Sequence, residues 1–85
     1  MAIVRLRGQL ERLAGAGELS LAGGNVTELL KALEDEHSAL EGWVLDERGV
    51  LRRHINVFVN GEPAEPDTAV DAEDKIEILP AISGG

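Results

Sequence analysis

The apolar positions of this chain follow two periods, and the switches between them mark out its elements. Ala2 to Arg7 reads as a strand, with Ile3 and Val4 β-branched and charge at Arg5 and Arg7. From Gly8 to Gly15 the pattern weakens. Leu10 and Leu13 stand three apart, as in a short helical turn, and Gly15 and Gly17 stop it. Glu18 to Leu21 alternates again, a second short strand closing a hairpin with the first, and Gly23-Gly24 ends it.

The clearest period is helical. Asn25 is a good N-cap, and Glu28 stands at capping-box spacing from it. Val26, Leu29, Leu30 and Leu33 then fall on one face, with His37 one turn on, while Lys31, Glu34 and Asp35 fall largely on the other. Segment 38–53 is ambiguous. Leu40, Trp43, Val44 and Leu45 read as core or core rim, Asp46-Glu47-Arg48-Gly49 as a turn, and Val50-Leu51 as a brief pairing.

Period two returns at Ile55 to Val59, which places Ile55, Val57 and Val59 on one face and Asn56 and Phe58 on the other. Asn60-Gly61 is the dipeptide of a type I′ hairpin. Glu62 to Glu65 is then a short return strand, held to an edge by Pro63 and Pro66. A polar loop around Val70 leads to the final strand, Lys75 to Leu79, which the pattern places at an edge of the fold. Ile76 and Ile78 point inward there, and Glu77 and Leu79 outward. The expected fold is α+β: a mixed sheet of four to five strands crossed on one face by one main helix, the β-grasp arrangement of ubiquitin-like domains. A single domain over 1–85 is expected, with a flexible C-terminal tail at 80–85.

Composition narrows the function. A chain of 85 residues buries roughly 60–65% of its unfolded surface, enough for one modest core. With one Trp, one Phe and no Tyr, aliphatic side chains must fill it. Sixteen acidic against eight basic residues leave a net charge of -8, which repels phosphate backbones and argues against nucleic-acid partners. The absence of Cys removes disulfides, thiolate metal sites and cysteine nucleophiles. No run approaches the roughly 18 apolar residues of a membrane span, and the first residues lack a signal-peptide core, so a cytoplasmic protein without membrane contact is expected.

Candidate catalytic chemistry is thin. His37 and His54, the only histidines, read as surface or helix-end residues rather than parts of a triad. The acidic runs at Glu34-Asp35-Glu36 and from Asp67 to Asp74 read as solvated faces, without the glycine and final glutamate of a calcium loop. No Gly-Lys-Ser/Thr follows the glycines, so there is no phosphate loop. Neither metal nor cofactor is expected on this chain. An outward Phe58 and Leu79, extended by Ala81, instead make a candidate docking patch, unless segment 38–53 covers Phe58. The remaining candidate is the terminus. Ile82-Ser83-Gly84-Gly85 ends on glycines that fit a narrow channel, although frayed ends are also ordinary.

Two stretches resemble one family. Ile55-Asn56-Val57-Phe58-Val59-Asn60-Gly61-Glu62, and Asp74-Lys75-Ile76-Glu77-Ile78-Leu79-Pro80-Ala81-Ile82-Ser83-Gly84-Gly85, are similar to the MoaD/ThiS ubiquitin-like sulfur carriers. Arg53-His54 and the Leu-Pro-Ala ending resemble most the branch with the mycobacterial cysteine-biosynthesis carrier. The resemblance implies a non-catalytic co-substrate. An E1-like adenylyltransferase of the MoeB/ThiF type uses ATP-Mg to adenylate Gly85, and a sulfur donor protein converts the adenylate to a thiocarboxylate. An acceptor enzyme then draws the sulfur into cysteine, molybdopterin, thiamine thiazole or tRNA. It also implies that Leu79 packs on the activating enzyme; extended, Ser83, Gly84 and Gly85 supply reach of about 10 Å. Conjugation to protein lysines, or a β-grasp binding subunit with inert glycines, are the alternatives.

Overall fold

The computed structural model describes residues 1–80. Strand β1 (Ala2–Leu6) pairs antiparallel with β2 (Glu18–Leu21), with Val4 opposite Leu19. Between them lies a short helix α1 (Gly8–Ala14), which the two leucines foreshadowed and which Gly15 ends in a left-handed C-cap. Gly23 then lets the chain pass against the main helix α2 (Val26–Glu36): a Cβ there would stand 2.7 Å from the Leu29 backbone nitrogen.

The N-terminus of α2 is fully capped. The Asn25 side chain accepts from the Glu28 N–H, and Glu28 reaches back to the Gly24 N–H. The Val26 and Thr27 N–H groups donate to the carbonyls of Thr68 and Pro66, so the polar loop satisfies the donors a helix start leaves open. Val70, in the same loop, is buried.

A 3₁₀ turn at Ser38–Leu40 follows α2, and the ambiguous segment folds back on the helix. Leu40, Val44 and Leu45 enter the core, Asp46 to Gly49 forms the turn, and Leu45 bridges Leu51. Trp43 departs from expectation. It is 45% exposed, because the backbone of its neighbours is held to α2 while its own side chain turns away from the core.

Strand β3 (Ile55–Val59) turns through Asn60 and Gly61, both at positive φ (53° and 85°) as a type I′ turn requires, into β4 (Glu62–Pro63). β4 is shorter than the expected return strand and lies at the sheet edge, where Pro63 limits further pairing. The last strand, β5 (Lys75–Pro80), is the main correction. The five strands run in the order β2-β1-β5-β3-β4, so β5 occupies the centre rather than an edge. It runs parallel to β1 (Val4 opposite Ile76) and antiparallel to β3 (Val57 opposite Ile78). Pro80 belongs to the strand, opposite Ile55, rather than to a tail beginning at residue 80.

The sheet's inner face and α2 share one core containing Val4, Leu6, Leu29, Leu33, Ile76 and Ile78. Each such side chain contributes roughly 2 kcal/mol by leaving water. The ion pairs are half-exposed surface contacts and contribute about 0–1 kcal/mol each. Aliphatic burial therefore holds this fold. The architecture is the expected α+β β-grasp, with α1 added.

Candidate docking face and the root of the chain end

Alternation along the central strands sorts their side chains onto two faces. Ile76 and Ile78 of β5 are buried, and Glu77 and Leu79 point to the opposite, open face. On β3, Ile55 and Val57 are buried while Asn56 and Phe58 share that open face. The register sets Phe58 opposite Glu77 and Asn56 opposite Leu79. Phe58 and Leu79 are thus diagonal neighbours on one surface, close enough for a large ring to touch. Pro63, opposite Phe58 on β4, extends the apolar strip to the edge. Both Phe58 and Leu79 are half-buried, as anchors that also support the sheet.

The same face carries cations that the reading of the patch left out. The outward positions of β1 are Ile3, 41% exposed, and Arg5, with Arg7 just beyond the strand. Arg5 donates to Glu18 at 3.3 Å, and Arg7 to Glu77 at 3.1 Å. Lys75, opposite Ile3, makes no ion pair among the described residues. A shallow hollow between Ile3, Arg5, Lys75 and Glu77 results. The signal was present in the sequence, since Ile3, Arg5 and Arg7 alternate along β1.

The Asn60 side chain fixes one end of this face. Its amide nitrogen donates to Asp74 at 2.9 Å, and its oxygen accepts from the Lys75 N–H at 2.9 Å. The Asp74 carboxyl titrates below its usual range, chiefly because it accepts from the Asp71 N–H and then from Asn60. At the opposite end β5 finishes at Pro80, beside Gly8, where a Cβ would meet the proline ring at 3.2 Å. Ala81, Ile82, Ser83, Gly84 and Gly85 lie outside the described residues. His37 caps the C-terminus of α2, and His54 is exposed just before β3. Among the described residues no group of three His, Asp or Glu side chains is placed to hold a metal ion, and no helix is long and apolar enough to cross a membrane.

Residues 4–85 match the ThiS family. This chain belongs to that family. Small archaeal modifier protein 1 of Haloferax volcanii is 43% identical over 60 residues, covering 71% of this chain and 69% of that protein. A crystal structure of it superposes with a TM-score of 0.85 at 36% identity, over 99% of this chain and 98% of the other. The sulfur carrier protein CysO of Mycobacterium tuberculosis is 30% identical over 77 residues, covering 84% of this chain and 83% of that protein. A crystal structure of the Amycolatopsis orientalis BexX/CysO complex gives a TM-score of 0.85 at 28% identity, over 100% of both chains. Members of the ThiS family similar to this chain are therefore small carrier and modifier proteins with a β-grasp fold, and one is solved together with a partner.

Proposed function

We propose that this protein is a sulfur carrier whose C-terminal glycine, Gly85, is activated and loaded by partner enzymes. The carrying observation is the placement of β5. The central strand, anchored in the core by Ile76 and Ile78, leads directly to the last residues, beside an open face bearing Phe58 and Leu79. A partner that grips this face has the chain end at a fixed starting point. The similarity to CysO, a sulfur carrier protein, supports the same reading.

The chemistry asks little of the carrier. A carboxylate resists attack because oxide is a poor leaving group. An ATP-using partner of the MoeB/ThiF type joins the Gly85 carboxylate to the α-phosphate, and pyrophosphate leaves. Hydrosulfide supplied by the sulfur donor then attacks the acyl carbon and AMP departs, giving the thiocarboxylate. The partner supplies Mg-ATP and the donors that stabilise the developing charge. This chain supplies the acyl group, with Ile82, Ser83 and Gly84 as a slender approach and Ala81 extending the docking strip. It binds no cofactor of its own in this scheme, and an acceptor enzyme in the cytoplasm takes the sulfur onward toward cysteine, molybdopterin, thiamine or thiolated tRNA.

The 43% identity to a small archaeal modifier protein favours a second reading, transfer of the same activated acyl group to a protein lysine. The amine attacks the adenylate, AMP leaves and an isopeptide bond forms. Intact mass separates the two. Loading raises the mass by the difference between sulfur and oxygen, whereas conjugation gives heavier adducts linked through Gly85. Deleting Gly84-Gly85 should abolish adenylation and leave folding intact; activation of the truncated chain would refute both readings.

A further inference from the structure

The only tryptophan of the chain is held out to solvent beside the root of the chain end. Its backbone is fixed on both sides. The Trp43 N–H donates to the Leu40 carbonyl at 2.9 Å, and Glu34 accepts from the next two N–H groups, of Val44 and Leu45. The Arg52 N–H donates to the Val44 carbonyl, and the Arg52 Nε to the Gly42 carbonyl at 2.6 Å. A stiff frame thus presents an indole that is 45% exposed, at the rim of a small hollow shared with Gly42, Arg52 and His54.

We infer that this hollow is a second docking surface, contacted by a segment of the activating enzyme that carries carboxylates around an apolar side chain. The inference rests on the reading of the chain as a carrier activated at Gly85. Position argues for that enzyme. His54 immediately precedes Ile55, and Ile55 is the residue opposite Pro80, so the hollow borders the end of the sheet from which residues 81–85 continue. An enzyme that takes up those residues must approach this end. Leu79, next to Pro80, brings the strip of the open face to the same end, so one partner can hold both.

Charge argues for the chemistry of its segment. Arg52 and Arg53 are adjacent cations in a chain of net charge -8, and neither forms an ion pair among the described residues. Of the acidic groups beyond Arg52, Glu34 is committed to the Val44 and Leu45 N–H groups and Asp46 to Arg48 and Val50, while exposed Glu41 and Glu47 line a separate hollow on that side. The Trp43 hollow itself, lined by Gly42, Trp43, Arg52 and His54, holds no carboxylate. Trp and Arg are the residues most often found to dominate interfaces, and an indole already fixed in place loses little entropy on burial.

The test is ATP–pyrophosphate exchange by the cognate activating enzyme, with the full-length carrier titrated. Trp43→Ala should raise the KM for the carrier about tenfold with kcat unchanged, and Trp43→Phe should retain most of the wild-type value. Arg53→Glu, at an exposed position that folding does not need, should also raise KM, more at low salt than at high. Circular dichroism checks that each variant is folded. Wild-type KM in Trp43→Ala and Arg53→Glu, alongside normal exchange by the unmodified chain, overturns the docking surface and leaves the carrier reading standing. Defects confined to the later sulfur-transfer step overturn it equally. No exchange with the unmodified chain overturns both.

Discussion

One carboxylate oxygen of Glu34 accepts the backbone N–H groups of both Val44, at 2.9 Å, and Leu45, at 2.8 Å. A half-buried side chain of α2 thereby ties the 38–53 segment to the helix before it. Glu34→Ala should leave these two donors unpaired and cost about 2 kcal/mol. Faster amide hydrogen exchange at Val44 and Leu45, with the central strand still protected, is the expected result. Unchanged exchange there would show that the apolar contacts of Leu40 and Leu45 hold the segment alone.

Gly23 is a point of close approach. An added methyl would lie 2.7 Å from the Leu29 nitrogen and 2.9 Å from its Cα, both backbone atoms that cannot swing aside. Gly23→Ala should therefore push α2 off the sheet and lower stability by about 2 kcal/mol. Chemical denaturation measures this. A wild-type midpoint would mean that the loop simply moves.

The two faces of β5 should respond in opposite ways to one substitution. Leu79→Asp or Phe58→Asp places a charge on the open face and should weaken activation tenfold or more by order of magnitude, with the folded circular dichroism signal retained. Ile78→Asp, one residue away at a position with 0% exposure, should unfold the domain, since an unpaired buried carboxylate costs several kcal/mol. Unfolding of both classes would show that the outward pair is core.

Acid should loosen the turn at 46–50. Asp46 is held down from 3.8 to about 2, first by the hydrogen bond from the Arg48 side chain and then by the Val50 N–H. Because its folded value is depressed, the contribution to stability is complete above the unfolded value of 3.8 and is lost as pH falls toward about 2. The carboxyl carbon shift of Asp46, followed by NMR, should titrate in that low range. Asp46→Asn should remove the dependence.

The locally determined elements were legible in the sequence, and those fixed by distant pairing were not. The Asn25 cap and the apolar face from Val26 to Leu33 marked α2 because helix signals lie within a few residues of each other. Asn60-Gly61 marked its hairpin for the same reason. Alternation also assigned the faces of Phe58 and Leu79 correctly. Strand order was hidden. The pairing of Val4 with Ile76 joins opposite ends of the chain, and an alternating strand looks alike at an edge and at the centre. The exposure of Trp43 was equally hidden, since it depends on how an aperiodic segment is tied to Glu34.

The parallel alignment of β1 and β5 also sets how the domain answers force. Their register runs in step from Ile3 opposite Lys75 to Leu6 opposite Ile78, so the N-terminal residue and residue 80 lie toward opposite ends of one ladder. Tension between the two termini drags these strands past each other, and the evenly spaced bonds must fail together rather than peel singly. A machine that tugs on the glycine end against the N-terminus therefore loads this seam in shear.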